Sequence, residues 1–245
     1  PYVVGVSGGA ALGAVGTILL GLNASVLGMA PATGAAFLGA LVAAFLAWNL
    51  ARVGGRVPVT TLLLAGSAIG AFAGALVSLL ILFHAPQWSE VMAWLMGSMA
   101  HPDPWARVKV VLPCLVLSAG AMAVYARDLN LLILGEEPAQ QLGVETERLK
   151  LVLLGAGALA AAGAVATCGM IGFVGLIVPH VARRLVGPDH RALIPITILA
   201  GGTLLVLADA AARSVPRFQP PIGVVTALAG APFFLWVLRR GRWRA

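Results

Sequence analysis

Charged side chains are scarce in this sequence. Asp, Glu, Lys and Arg make up 10% of its 245 residues, whereas hydrophobic residues make up 60%. A soluble domain carries roughly 25% charged residues, and one core cannot bury so large an apolar fraction. The composition therefore excludes an ordinary water-soluble domain and predicts that much of the chain faces lipid.

Several functional signatures are missing as well. The two cysteines, Cys114 and Cys168, lie in apolar runs and form no CxxC pair, which argues against redox chemistry and thiolate metal sites. No GxxxxGK[ST] pattern occurs, so the chain has no phosphate-binding P-loop of its own. The net charge is +7, but the cations are spread between apolar runs and form no basic face for nucleic acid.

Long apolar runs dominate the rest of the chain. A helix that crosses a bilayer needs roughly 20 apolar residues, and six runs meet this requirement: 3–21, 33–51, 61–84, 108–126, 192–212 and 222–238. A seventh run, 151–182, has 32 uncharged residues interrupted by glycines and Pro179. It is too long for one straight pass and short for two.

The distribution of Lys and Arg decides between these alternatives. If 151–182 crosses twice, twelve of the 16 cations lie on one side and four on the other; a single pass splits them nine to seven. The positive-inside rule selects the uneven split and assigns the twelve to the cytoplasm. We therefore predict eight spans, with both ends of this sequence cytoplasmic.

Glycines recur at four-residue spacing in two of the runs. They are Gly5, Gly9 and Gly13 in the first run and Gly66, Gly70 and Gly74 in the third. Small residues at this spacing allow membrane helices to approach closely, which predicts a packed bundle. The alternative is chance, because the chain has 30 glycines.

The longest stretch on the cytoplasmic side is 127–150, which holds eight of the 25 charged residues. Glu136 and Glu137 precede Pro138, as in the first turn of a helix, and Gly143 suits its C-terminal cap. We expect a short helix there, preceded by a short apolar turn at 129–134. Such a segment is either a surface for a cytoplasmic partner or an ordinary connecting loop.

On the outer side, residues 86–104 predict a short amphipathic helix that is interfacial or re-entrant. Its apolar positions at helical spacing are Trp88, Val91, Met92, Leu95 and Met96. The flanking residues His84, Glu90, His101 and Asp103 lack a recognisable metal-ligand spacing, so we predict no metal site.

Two further patterns suggest other functions. Asp209, the only acidic residue in a predicted span, lies four residues before Arg213, which favours an ion pair over a proton relay. Arg213 and Arg217 could also meet an acidic soluble partner at the outer surface. The GxSG pattern of rhomboid proteases occurs around Ser7, with His180 as a possible base, but His180 falls near the cytoplasmic end of its span. An ion-coupled carrier and an intramembrane protease therefore remain alternatives, and no catalytic residue is assigned.

Four ordered blocks resemble the FecCD-type permeases of vitamin B12, haem and iron-siderophore ABC importers. Residues 134–144 are similar to the LGEAPARQLG segment of that family, and 207–209 with Arg213 resemble its LAD..AR. The other two blocks are 172–180, continued by Arg183 and 187–191, which resemble GFIGLIVPH..R, and 221–233, which resemble PIG..TA..GAP.F. Residues 1–10 also resemble the stretch that enters the family's third helix.

The resemblance implies an all-α polytopic membrane bundle of ten helices, of which two would precede residue 1 and about eight lie here. Residues 1–245 would form a single permease domain in the bacterial cytoplasmic (inner) membrane. This domain would work as a homodimer with two cytoplasmic ATPase subunits and an extracytoplasmic substrate-binding protein. The chain would be a transport subunit rather than an enzyme, without a cofactor, because ATP and Mg would bind the partner ATPase.

The resemblance also implies residue roles. ATPase coupling would fall to Gly135, Glu136, Glu137, Pro138, Ala139, Leu142 and Gly143. Arg213 and Arg217 would dock the binding protein. The short outer helix would be a gating helix beside the pathway, formed by Trp88, Met92, Leu95, Met96 and Met99. Gly172, Gly175, Pro179, His180 and Asp209 would be structural motif residues.

Overall fold

The computed structural model of the protein describes residues 5–21, 30–52, 54, 57–83, 88–100, 103–215 and 220–239. Within these ranges the chain forms eleven helices and no strand, which confirms the all-α prediction. Their bounds are α1 (Val6–Leu19), α2 (Pro31–Ala51), α3 (Val59–Phe83), α4 (Trp88–Leu95), α5 (Pro104–Val124), α6 (Ala126–Leu132), α7 (Glu136–Gln141), α8 (Thr146–Cys168), α9 (Val174–Val186), α10 (His190–Arg213) and α11 (Ile222–Arg239).

Each predicted apolar run is helical over most of its length. Five helices are long and apolar enough to cross a bilayer, namely α2, α3, α5, α8 and α10, while α1 and α11 are shorter apolar helices. The run 151–182 is divided as expected, because α8 ends before Gly169, whose φ is +71°, and α9 begins only at Val174. The number of passes, eight, stays a prediction.

Helix starts follow local capping chemistry. The Asp103 carboxylate accepts a hydrogen bond from the Ala106 N–H at 3.1 Å, and Pro104 occupies the first helical position of α5. The Asp189 carboxylate caps α10 in the same way through the Arg191 N–H at 3.0 Å. Both arrangements satisfy backbone donors that a helix N-terminus leaves without an intrahelical acceptor.

The core where α1, α2 and α8 meet is built from small side chains. Ala10, Ala36, Ala40 and Ala162 are each fully buried there. Without a hydrophobic driving force between helices in lipid, close backbone approach supplies the packing energy. The predicted glycine contacts hold for Gly5, beside the Gly66 carbonyl of α3, but not for Gly74, which has no atom within 4 Å of its Cβ position.

The remaining helices extend this core. Helix α5 packs along α8, where Gly163 leaves room for Cys114. Helices α9, α10 and α11 pack against one another, and α10 also contacts α5 and α6. Helices α5, α9, α10 and α11 each contain an internal proline, which neighbouring helices make tolerable in a membrane bundle.

Two predicted boundaries differ from the structure. Of the outer helix expected within 86–104, the described residues 88–100 are helical over Trp88–Leu95, and Gly97 adopts a φ of +74° that ends the helix. Helix α8 begins at Thr146, inside the 127–150 segment, so this segment ends as the first turn of a long helix.

Candidate functional site

The 127–150 segment folds into a compact unit rather than an extended loop. Helices α6 and α7 are short, and glycines separate α7 from its neighbours: Gly135 has φ +114° and ψ +162°, and Gly143 has φ +88°. These conformations are available to glycine and strained for other residues. The two glycines therefore fix the direction in which α7 enters and leaves.

A small apolar core holds this unit together. Ala139, Val144 and Leu149 are buried and pack with Tyr125 and Leu131. The Val144 N–H donates to the Ala139 carbonyl at 3.0 Å, which closes the turn after α7. Of the predicted coupling residues, Ala139 is thus part of the support and is not surface-exposed.

The outward side of the unit combines acidic and apolar groups. Leu134 and Leu142 are 63% and 60% exposed, and Glu137 and Pro138 are exposed as well. Exposed apolar side chains rimmed by polar groups are typical of a protein-binding surface. We call this set, Leu134, Glu136, Glu137, Pro138 and Leu142, the coupling surface.

Polar contacts attach the coupling surface to the rest of the bundle. The Lys150 ammonium donates to Glu136 Oε2 at 2.7 Å and to Glu147 Oε1 at 3.0 Å. The Gln140 amide donates to Thr146 Oγ1 at 2.7 Å. Helix α7 is therefore bonded at both ends to the first turns of α8.

A second attachment joins α6 to the start of α10. The Asn130 amide donates to Asp189 Oδ1 at 2.7 Å, and Asn130 Oδ1 accepts the His190 N–H at 2.9 Å. The backbone hydrogen bond from Arg191 and the Asn130 amide both lower the pKa of the exposed Asp189 carboxyl below its ordinary value. None of Asn130, Lys150 and Glu147 was predicted as a site residue. Asn130 bonds residues 59 and 60 positions away, and the bonds of Glu147 and Lys150 to Val57 span 90 and 93 positions.

At the predicted outer side, the end of α4 meets the α8–α9 connection and the start of α11. The Ser98 N–H donates to the Cys168 carbonyl at 2.8 Å, and the Gly223 N–H donates to the Met96 carbonyl at 3.2 Å. A Cβ on Gly169 would overlap the Trp94 carbonyl oxygen, so this junction can form only with a glycine, which has no side chain, at position 169. We call it the outer junction.

The predicted gating residues lie on and after α4. Trp88 is exposed, and Met92 packs with buried Val91 against α1 and α3. Leu95 and Met96 line an apolar cavity of about 690 Å³, together with Phe173 and Leu228. Met99 lines a neighbouring cavity of about 330 Å³, so of the five predicted residues the structure brings only Leu95 and Met96 to one cavity.

Phe173 has the only positive φ among the described non-glycine residues, at +64°. It immediately precedes α9, lines both cavities, and packs where Gly230 of α11 lacks a side chain. Sequence reasoning did not single it out, and its place between glycines was the only signal. Of the predicted motif residues around it, Gly172 lines the larger cavity and Gly175 the smaller one.

The other predicted motif residues are placed as follows. Pro179 lies within α9, and His180 stands edge-on to Phe233 with ring centroids 6.5 Å apart. Asp209 Oδ2 accepts a hydrogen bond from Arg213 Nε at 2.7 Å, as the four-residue spacing predicted. Arg217 lies outside the described residues, as do His84 and His101.

The chain is similar to a known protein family and to several known proteins over nearly its whole length. The model of the FecCD transport family matches residues 1–240. The chain is 46% identical to the cobalamin import system permease protein BtuC of Halobacterium salinarum, with 100% of this chain and 65% of that relative covered. It is 38% identical to the Fe(3+) dicitrate transport system permease protein FecD of Escherichia coli, covering 99% of this chain and 74% of that one.

Two further similarities agree. The hemin transport system permease protein HmuU of Yersinia pestis is 39% identical, with 99% of this chain and 73% of the relative covered. A solved structure of a metal-chelate type ABC transporter in an inward-facing conformation superposes with a TM-score of 0.87 at 32% identity, covering 98% of this chain and 75% of that one.

Proposed function

Because this chain belongs to the FecCD transport family, we propose that it is the membrane-spanning permease subunit of a binding-protein-dependent ABC importer. The transported solute is a metal chelate, either an iron-siderophore complex, haem or cobalamin. Relatives named as permeases for cobalamin, hemin and Fe(3+) dicitrate support this solute class.

The observation that carries the proposal is the coupling surface. This sequence has no P-loop, so in an ATP-driven importer the nucleotide binds another subunit, and its energy enters through contact with that subunit. A rigid unit that exposes Leu142 and Glu137 while Ala139 and Leu149 form its core suits that contact. ATP and Mg bind the partner ATPase, and this chain works without a cofactor and is not an enzyme.

The assembly follows from the same premise. Residues 1–245 form one permease domain that pairs with a second copy, binds two cytoplasmic ATPase subunits, and receives solute from an extracytoplasmic binding protein. The domain lies in the cytoplasmic membrane with both ends of this sequence on the cytoplasmic side. Arg213, whose side chain is 53% exposed, docks the binding protein together with Arg217.

Closure of the ATPase dimer moves the two coupling surfaces together, and the packed helices convert this displacement into alternate opening of the pathway. Trp88, Met92, Leu95, Met96 and Met99 act at the outer end of that pathway. The hydrogen bonds of the outer junction support this role, since they connect the end of α4 to α8 and α11.

The test is co-expression of the complete protein with a candidate ATPase subunit and binding protein from the same organism. We expect all three to co-purify and, in proteoliposomes, to take up a metal chelate only when ATP is supplied. Glu137→Lys should weaken association with the ATPase. Glu145→Lys is the matched control, because Glu145 is an exposed carboxylate outside the coupling surface and should tolerate the same charge change.

Two outcomes would contradict the proposal. Uptake that continues without an ATPase partner would indicate an ion-coupled carrier. Peptide cleavage that is lost in Ser7→Ala would indicate an intramembrane protease; Ser7 is 1% exposed within α1, where a substrate could not reach it without helix movement.

A further inference from the structure

Lys150 is the point at which three separate segments of the chain meet. Its ammonium lies 2.7 Å from Glu136 Oε2 on α7, 3.0 Å from Glu147 Oε1 on α8, and 3.4 Å from the carbonyl oxygen of Val57. Val57 precedes α3 by two residues and is 93 residues away in the sequence. One cation therefore contacts the coupling surface, α8 and the start of α3.

Both backbone polar groups of Val57 form hydrogen bonds to side chains of α8. Its N–H donates to Glu147 Oε2 at 3.0 Å, and its carbonyl oxygen accepts from Lys150. Val57 itself is 2% exposed. Because both backbone polar groups of a buried residue are bonded to side chains of α8, the start of α3 cannot shift relative to α8 without breaking these bonds.

The geometry of this cluster differs from that of a surface ion pair. The Lys150 side chain is 13% exposed, whereas Arg148 and Glu145, which pair at the start of α8 at 3.7 Å, are 70% and 76% exposed. Exposed pairs are mobile and screened by solvent. A mostly buried ammonium with several oxygen partners holds those partners in a defined arrangement.

We propose that Lys150 is a positioning residue that transmits displacement of the coupling surface to the start of α3. This inference rests on the proposed function. When the ATPase moves α7, Glu136 moves with it; the ammonium that it shares with Glu147 and Val57 then carries the force to α3. Glu136 thus belongs to the coupling surface and also links α7 to the bundle through Lys150.

The packing of α3 allows this helix to move when Val57 is displaced. Only Gly66, Ala73 and Val77 of its 25 residues are buried, and it rests on α1 through glycine contacts at Gly5 and Gly8. These glycine contacts lie toward the start of α3, whereas farther along the helix Val77 packs with the large side chains of Val15 and Leu19 of α1. A displacement at Val57 therefore acts on the end of α3 that rests on backbone contacts, and it can tilt that end while the far end stays packed.

The test uses the complete transporter reconstituted with its ATPase and binding protein. Lys150→Met keeps the length and apolar stem of the side chain but removes the charge. We expect uptake per ATP hydrolysed to fall about fivefold or more, while membrane insertion and co-purification with the ATPase are retained. Arg148→Met is the matched control on the same turn of α8 and should behave as wild type, and Lys150→Arg should restore much of the coupling.

A merely structural role is distinguished by hydrogen–deuterium exchange at residues 57–62. The proposal predicts that exchange in this stretch depends on nucleotide in the wild type and in Arg148→Met, and is independent of nucleotide in Lys150→Met. A structural defect would instead raise exchange by the same amount with and without nucleotide, so that the difference between the two states would remain. Lys150→Met with wild-type coupling, or with exchange that still responds to nucleotide, would overturn the inference.

A second variant keeps the test decisive if Lys150→Met fails to fold. Glu136→Ala removes the link from the coupling surface but leaves Lys150 bonded to Glu147, so nucleotide dependence at 57–62 should again be lost. Retention of that dependence in Glu136→Ala also overturns the inference. Failure of the proposed function looks different, because the wild-type protein would then neither bind an ATPase nor show ATP-dependent uptake.

Discussion

Gly9 of α1 and Gly39 of α2 face each other where their helices cross. The carbonyl oxygen of each residue occupies the place where a Cβ on the other would stand. Ala43 of α2 also lies close to Gly9: its Cβ is 2.5 Å from the position that a Cβ on Gly9 would take. The crossing therefore has no room for a single added methyl group on either helix.

Gly9→Ala and Gly39→Ala should each destabilise the bundle, because the helices must separate to admit the methyl group. Overpacking of this kind costs about 1–3 kcal/mol. The measurement is the melting temperature of the purified protein in detergent. Gly34→Ala on α2 is the control, since no atom lies within 4 Å of its Cβ position, and it should leave the melting temperature unchanged or raised. Equal effects at all three positions would contradict the packing argument.

Gly143 is expected to be essential for coupling rather than for insertion. Its φ of +88° costs other residues about 1–2 kcal/mol, and no atom lies within 4 Å of its Cβ position, so conformation alone is at stake. In Gly143→Val, α7 should leave its position, so that ATP hydrolysis continues while uptake is lost.

The measurement for Gly143→Val is uptake per ATP hydrolysed in proteoliposomes. Gly155→Ala on α8 is a suitable control, because its Cβ position is equally open and its backbone is helical. Normal uptake by Gly143→Val would show that the turn after α7 tolerates other backbone conformations and does not set the coupling surface.

Arg213 provides a test of binding-protein docking. One of its five N–H donors is bonded to Asp209 at 2.7 Å, and its side chain is 53% exposed. Arg213→Glu should raise the Kd for the binding protein about tenfold at low salt, which corresponds to about 1.4 kcal/mol. The difference should shrink at high salt, because the contact is electrostatic.

Surface plasmon resonance against the reconstituted permease measures this affinity. Asp209→Asn is the control that keeps the arginine, and it should leave docking near the wild-type level. The docking assignment is wrong if Arg213→Glu binds with unchanged affinity at low salt.

The helices were predictable because their signals are local. Length and apolarity defined the runs, and the capping pattern around Glu136, Pro138 and Gly143 placed α7 close to its observed bounds. The division of 151–182 needed the additional count of Lys and Arg, which reports on the membrane rather than on the helix itself.

What the sequence did not reveal depends on distant contacts. The end of α4 is set by Gly97, whose backbone approaches the carbonyls of Cys168 and Met170 on another part of the chain. The Lys150 cluster joins residues 93 positions apart, and Asn130 bonds residues 59 and 60 positions away. Neither composition nor periodicity carries information on such pairs.

Asp189 should make the stability of the protein depend on pH in the acidic range. The Arg191 N–H and the Asn130 amide lower the pKa of Asp189 in the folded state. The ionised carboxylate therefore stabilises the folded state relative to the unfolded state. The contribution is complete above the unfolded pKa of about 4 and is lost as the pH falls through the lower, folded pKa.

Asp189→Asn keeps a good N-cap residue and removes only the charge. Its melting temperature should therefore lie below that of wild type at neutral pH, and the gap should close under acidic conditions. A gap that stays constant down to acidic pH would show that the Asp189 charge does not contribute to stability.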